Sequence, residues 1–256
     1  MTTSHINEVA QALLAARLHR TPCDAAAFAG ALSEAREAFA VQDIVSRSIG
    51  AQPGGFPRYW KTGAPGDTGV APHAALPPQG VWASPADARG WPFNMRLVEA
   101  ELAFRLAHDV TPQQAACLTD LDARGLVGAV AVSIELVDSR WRQGITAPVL
   151  LKLADLQSHG ALILGPWVPL ADRDWTAQAC SVQIGTGTPS QWRGSHAAGD
   201  PLRLLAGWLR HASRNGHIVP AGTAVTTGTW CGMVPAAPGD CVLARFEGLG
   251  EAMVQL

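Results

Sequence analysis

Two stretches of strict alternation constrain this chain more than anything else in it. From Val98 to Leu106 the even positions Val98, Ala100, Leu102, Phe104 and Leu106 are all apolar, with Glu99 and Glu101 between them. A period of two belongs to a β-strand, so one face is buried and both glutamates point together off the other. The stretch Ala129 to Leu136 repeats the pattern, with Val130, Val132, Ile134 and Leu136 facing one way and Glu135 the other. Three carboxylates standing off apolar strands repel one another, and a hard divalent cation such as Mg²⁺ or Mn²⁺ is the usual compensation. A solvated strand face is the competing reading, and spacing alone leaves both open.

With 256 residues, 48% hydrophobic and 16% charged, the chain is long enough for one large domain with a full core. A formal net charge of -2 and the lack of any basic block argue against nucleic acid or an anionic membrane as partner. Of the 19 basic residues two are lysines, Lys61 and Lys152. Codon bias toward arginine would explain the skew, and a lysine that survives it is more often one that arginine cannot replace; the competing reading of Lys61 is a snorkelling surface lysine. The five cysteines, Cys23, Cys117, Cys180, Cys231 and Cys241, are odd in number and form no CxxC, as expected of thiols in a reducing cytosol. With neither a signal-type N-terminus nor a stretch of membrane-spanning length, a cytoplasmic location is expected.

Helical spacing predicts helices over 6–20 and 24–47. A Gly/Pro-rich stretch from Gly50 to Pro92 then reads as a functional loop system; its tryptophans, Trp60, Trp82 and Trp91, would roof a cleft or anchor an interface. Thr111-Pro112 starts a helix running to about Arg124. Strands are expected over 128–137, 161–164, 181–184, 224–227 and 241–246 and at the C-terminus, with a helix over 201–214 among them. Two opening helices followed mostly by strands define an α+β fold, divided into a helical segment, 1–50, and a β-rich catalytic domain, 51–256, that together form one continuous unit.

Several segments, in order, resemble the fumarylacetoacetate hydrolase superfamily, and within it the branch of 2-hydroxypenta-2,4-dienoate (2-oxopent-4-enoate) hydratases and 4-oxalocrotonate decarboxylases. They are Tyr59-Trp60-Lys61-Thr62-Gly63, Glu99-Ala100-Glu101-Leu102-Ala103-Phe104, Ile134-Glu135-Leu136-Val137-Asp138-Ser139-Arg140, Ala154-Asp155-Leu156-Gln157-Ser158-His159-Gly160 and Thr226-Thr227-Gly228. The resemblance implies a β-roll or sandwich core with N-terminal helices and an active site over the acidic strands. It implies that Glu99, Glu101 and Glu135 ligate Mg²⁺ or Mn²⁺ and that Lys61 supplies positive charge, or a proton, to an enolate. Asp155 would act beside it, and Ser158, Thr227 and Gly228 would hold substrate. Leu156 stands where the family pattern has Asn, so one hydrogen-bonding partner is missing. His159 reads as a structural histidine.

The activity so implied is a metal-dependent hydro-lyase of aromatic compound catabolism, which adds water to a 2-hydroxy-2,4-dienoate to give a 4-hydroxy-2-oxo acid. Alternatives are a 4-oxalocrotonate-type decarboxylase, then an acylpyruvate hydrolase, or a catalytically silent assembly subunit. The partners implied are a small 2-oxo or 2-hydroxy acid, further copies of the chain in a homo-oligomer, and a related pathway enzyme, since members of this branch can associate.

Overall fold

The computed structural model describes residues 2–51, 55–66 and 69–256. The Gln52-Pro53-Gly54 part of the loop system therefore lies outside the described residues. Helix α1 spans Thr2–His19 and α2 spans Ala35–Ser48. The second helix starts later than its periodicity predicts. Residues Ala25–Phe28 form a separate 3₁₀ turn capped by Asp24, Gly30 follows with φ 74°, and α2 begins only at the capping box of Glu34 and Glu37. A capping box at one position satisfies the orphan N–H groups that a continuous helix would have had to pair internally. The same physics splits the helix expected from Thr111. It becomes α3, Pro112–Cys117, and α4, Asp120–Arg124, because Thr111 and Thr119 each nucleate a capping box of their own.

Within the Gly/Pro-rich stretch lie four short strands: β1, Tyr59–Thr62; β2, His73–Ala75; β3, Val81–Ala83; and β4, Ala86–Asp87. The long strands are β5, Leu97–Leu106, and β6, Val127–Val137. After α5, Val149–Ala154, come β7, His159–Leu164; β8, Val168–Pro169; β9, Ala179–Ile184; and β10, Ser190–Arg193. Helix α6, Leu205–Ala212, precedes β11, Ala224–Thr226; β12, Val234–Pro235; β13, Cys241–Phe246; and β14, Gly250–Gln255. Among the described residues these strands make two sheets. One runs β2-β1-β11-β5-β6-β7-β3, with β12 also on β5 and β8 on β6; the other runs β10-β9-β13-β14-β4.

The main core lies between the sheets. The even residues of β5 and β6, Val98 to Leu106 and Val130 to Leu136, meet Val182, Val242, Ala244 and Val254 of the second sheet, with Trp208 and Leu209 of α6 closing one side. Trp60 points into this core, its indole N–H donating to the Pro57 carbonyl, so it does not roof a cleft; Trp82 and Trp91 pack edge-to-face at 5.0 Å. A second cluster joins α1, α2 and α5 around the fully buried Trp141. The α+β class and the two-sheet core are as expected. Because Trp141 sits just past β6 and donates to the Leu151 carbonyl at 2.8 Å, the helices pack directly on the strand-bearing part.

The sheets come close at Gly165, which follows β7. A Cβ there would collide with the Glu251 carbonyl of β14 and lie 3.0 Å from the Val132 carbonyl of β6, both backbone atoms without room to yield. Gly165→Ala should destabilise the protein by about 1–3 kcal/mol through forced backbone shifts. Urea unfolding monitored by tryptophan fluorescence measures it, and an unchanged midpoint would contradict this account of the sheet contact.

Candidate metal centre

The odd residues of β5 and β6 leave the core and share the sheet's other face. Register places Glu99 opposite Glu135 and Glu101 opposite Ser133, while β11 and β1 add Thr226 and Lys61 beside Ala103 on that face. One oxygen from each of Glu99, Glu101 and Glu135 lies within 4.8 Å of the others. Alternation therefore delivers three carboxylates to one point, and the antiparallel pairing of β5 with β6 chooses the point.

Each carboxylate has a different environment. Glu135 is fully buried, and its Oε1 accepts from Lys61 Nζ at 2.6 Å and from His159 Nδ1 at 3.0 Å. Its Oε2 is buried with no partner. Glu101 Oε2 accepts from the Thr226 hydroxyl and, at 3.0 Å, from the Gly228 N–H. Gly228 reaches it from φ 102°, a conformation L-residues rarely adopt. Among the described residues Glu99 has no hydrogen-bond partner. Burial, then the charges of Glu101 and Glu135, push Glu99 up to about 8; burial and Glu135 push Glu101 up to about 7. Burial also acts to raise Glu135, but Lys61 and His159 outweigh it and hold the group below its ordinary value. Burial acts to lower Lys61, and the surrounding glutamates reverse the sign, so the lysine is held as an ammonium.

A divalent cation fits these residues. Three hard oxygen donors converge, one of them buried without a partner among the described residues, and burial and the neighbouring carboxylates raise two of the carboxyls by more than Lys61 offsets.

The turn after α5 completes the site. Leu156, Gln157 and Ser158 are all left-handed, with φ of 50°, 54° and 56°. Three such non-glycine residues in a row cost roughly 1–2 kcal/mol each and persist only where their surroundings over-determine them. Here the Ser158 N–H returns to the Asp155 carbonyl at 2.9 Å and the Asp138 N–H holds the Ser158 carbonyl at 2.9 Å. The turn brings the Gln157 carbonyl to Lys61 Nζ at 3.2 Å, leaves Ser158 Oγ buried without a partner, and passes His159 to Glu135. Leu156 is fully buried among Ala74, Ala103, Leu162 and Leu164, an apolar wall on the same sheet face as the carboxylates.

Three of the residues expected at the site are engaged by neighbouring groups. Asp155 accepts at Oδ1 from Arg140 Nε at 2.7 Å and from Arg17 at 3.0 Å, and at Oδ2 from the Arg140 N–H at 2.9 Å. It anchors the strained turn to β6 and α1. Thr227 donates to the Leu102 carbonyl at 3.0 Å and the Gly228 N–H to Glu101, so neither is directed at a substrate carboxylate. Thr226 and His159 belong to the site although neither was singled out for it. An ionised carboxylate only accepts, so the neutral His159 ring carries its proton on Nδ1, and its other nitrogen, Nε2, is a buried acceptor without a partner. The one sequence signal for His159 was its place directly after the Asp155–Ser158 segment.

No family model matches the chain. In sequence it is 35% identical over 159 residues to the TodF product hydratase of Pseudomonas putida F1, covering 60% of this chain and 56% of that protein. It is 29% identical over 165 residues to a 4-oxalocrotonate decarboxylase of Pseudomonas sp., covering 60% and 58%. The matches thus span less than two thirds of these relatives. In structure it matches the 4-oxalocrotonate decarboxylase from Pseudomonas putida G7, a protein complexed with magnesium and adipate, at a TM-score of 0.83 and 20% identity, over 100% of this chain and 98% of that one. A fumarylacetoacetate hydrolase family protein from Yersinia pestis CO92 matches at a TM-score of 0.53 and 16% identity, over 77% and 90%. The chain has the fumarylacetoacetate hydrolase fold. Its relatives are the hydratases and 4-oxalocrotonate decarboxylases to which its motifs pointed.

The electrostatics predict opposite effects for two similar substitutions. Glu99→Gln relieves repulsion and should raise the melting temperature of the chelator-treated protein. Glu135→Gln leaves Lys61 buried without a counter-charge and should cost about 3 kcal/mol. A carboxyl whose folded pKa is raised binds more protons folded than unfolded, so its contribution falls as pH rises from its unfolded value, near 4.5, through the folded one. Metal-free stability should therefore decline between about pH 5 and 8, and Mg²⁺ should restore it most at the upper end. Scanning calorimetry across this range checks the sign, and a metal-free stability that climbs with pH would refute the assignment.

Proposed function

We propose that this chain is a divalent-metal-dependent hydro-lyase that adds water to a 2-hydroxy-2,4-dienoate, the enol form of a 2-oxo-4-enoate, to give a 4-hydroxy-2-oxo acid. The observation that carries the proposal is the convergence of Glu99, Glu101 and Glu135 around a buried lysine that keeps one N–H uncommitted. Glu99, Glu101 and Glu135 would hold Mg²⁺ or Mn²⁺, which when bound would supply Lewis acidity at the head of a 2-oxo acid. The magnesium of the Pseudomonas putida G7 decarboxylase supports the choice of a hard divalent ion.

The remaining chemistry belongs to side chains of this chain. Lys61 donates to Glu135 and to the Gln157 carbonyl, so of its three N–H groups one is left for the substrate's 2-oxygen. In so buried a site that charge is worth far more than in water, and it acts most strongly as negative charge develops on the oxygen. Hydration moves the proton of the 2-hydroxyl to the far end of the diene, then adds water's oxygen at C4 and a proton at C3. His159 Nε2 and Ser158 Oγ are buried polar atoms with free capacity on the turn beside Lys61, and we assign them to the attacking water and its proton. Asp155 contributes by fixing that turn.

Decarboxylation is the second reading, supported by relatives named 4-oxalocrotonate decarboxylase. Hydration leads because Leu156 makes the wall next to Lys61 apolar, and a second carboxylate desolvated against it would lack a partner. The same reading makes the protein a cytoplasmic homo-oligomer, in keeping with its five free cysteines, and extends to association with a related pathway enzyme. Among the described residues no helix is long and apolar enough to cross a membrane.

An ultraviolet assay with freshly generated 2-hydroxypenta-2,4-dienoate, run beside 4-oxalocrotonate, tests the proposal. Turnover of the dienoate should require Mg²⁺ or Mn²⁺ and stop with chelator; faster release of CO₂ from 4-oxalocrotonate would install the second reading. Lys61→Arg should lose at least about a hundredfold in kcat, nearly as much as Lys61→Ala, because a planar fork cannot replace a compact ammonium between Glu135 and Gln157. Recovery of most of the rate by arginine would remove Lys61 from the mechanism.

A further inference from the structure

A cavity of about 400 Å³ lies between the C-terminal turn of α1 and the ends of β6 and β7. None of the three glutamates lines it, nor do Lys61 and His159. Its charged lining consists of Arg17, Arg20, Arg140 and Asp138, and its apolar lining includes Ile49 and Trp91. The volume is that of a small-ligand site.

The charges in and beneath this cavity do not balance. Arg140 is shared between Asp155 and Asp138, at 2.7 and 3.5 Å, and Arg17 reaches Asp155 at 3.0 Å. Three arginines thus face two aspartates. Asp138 is further engaged by the N–H groups of Asn94 and Met95, at 2.9 and 2.8 Å. Among the described residues Arg20 has no ion-pair partner and the buried Arg17 Nε has no hydrogen-bond partner. Burial first and then Arg140 bring Arg17 down to about 10, while Asp155 and Asp138 act in the opposite direction. Arg17 lies in the last turn of α1, where a cation complements the helix dipole, but the dipole supplies no hydrogen-bond partner for its buried Nε.

We propose that this cavity is a second binding site, for a monocarboxylic acid with a planar apolar body. The carboxylate would take the open N–H groups of Arg17 and Arg20, the residue types suited to bidentate carboxylate pairing. The body would lie against Trp91 and Ile49. Asp155, held by Arg17 and Arg140, is the start of the strained turn that supports Lys61, so the cavity and the metal centre share one structural support.

Benzoate is the probe, titrated calorimetrically into the full-length protein once with chelator and once with saturating Mg²⁺. One saturable site of similar Kd in both conditions is expected. Benzamide, which keeps the shape without the charge, should bind about tenfold more weakly, and Arg20→Gln should weaken benzoate by about the same factor, the equivalent of losing one charge-assisted hydrogen bond. Arg20 is exposed, so its substitution leaves folding intact, while Arg17→Lys keeps the ion pair to Asp155 but removes the fork and should also weaken benzoate. Absence of saturable binding, equal affinity for benzamide, or indifference to both substitutions would overturn the proposal. So would binding that requires Mg²⁺, which would place the probe at the metal centre.

Discussion

The pairing of Glu135 with Lys61 is the interaction on which the rest of the site depends. Three carboxylates project together from one sheet face, and Lys61 pairs with one of them, Glu135. Glu135 keeps its charge because Lys61 and His159 share its Oε1, which also leaves Oε2 as the open donor atom. Glu99 and Glu101 have no such partner, so burial and mutual repulsion drive them toward the protonated state. The protein thus carries a local instability at the place where a divalent cation would remove it.

That pairing is held by backbone geometry rather than by side-chain packing alone. The left-handed run Leu156-Gln157-Ser158 points a carbonyl at Lys61 and turns His159 onto Glu135. Its strain is held by two arginines on one aspartate, and one of those arginines, Arg17, comes from α1 at the far end of the chain. The N-terminal helices are therefore part of the support for the metal centre, through an ion cluster 138 positions apart in sequence. Leu156 serves the same turn differently. Its side chain is packed in the apolar wall, where the amide of the family pattern would demand hydrogen-bonding partners.

Much of the fold was legible because its signals are local. Alternation in β5 and β6, the boundaries of Cys241–Phe246 and a helix over 201–214, which forms as a 3₁₀ turn, Pro201–Leu204, followed by α6, follow from periodicity and turn chemistry within a few residues. The short strands β1, β2 and β3 were not legible. They are three or four residues long, sit among prolines and glycines, and exist because strands distant in sequence pair with them: β1 on β11, β3 on β7. The single expected helix after Thr111 failed for the opposite reason, since the local capping signal at Thr119 was present but weaker than the continuous periodicity around it.

By itself the sequence determined which side chains leave the core: a period of two commits Glu99, Glu101 and Glu135 to the face opposite Val98, Ala100 and Ile134, whatever the strands pair with. It also singled out Lys61 by its rarity. Only the tertiary structure decided that Glu99 lies opposite Glu135, that Thr226 rather than Thr227 bonds Glu101, and that Asp155 is bound up with arginines while His159 joins the site. The physical reason is that these relations are set by strand register and by one strained turn, and a shift of one residue in either would exchange the partners while leaving the sequence pattern unchanged.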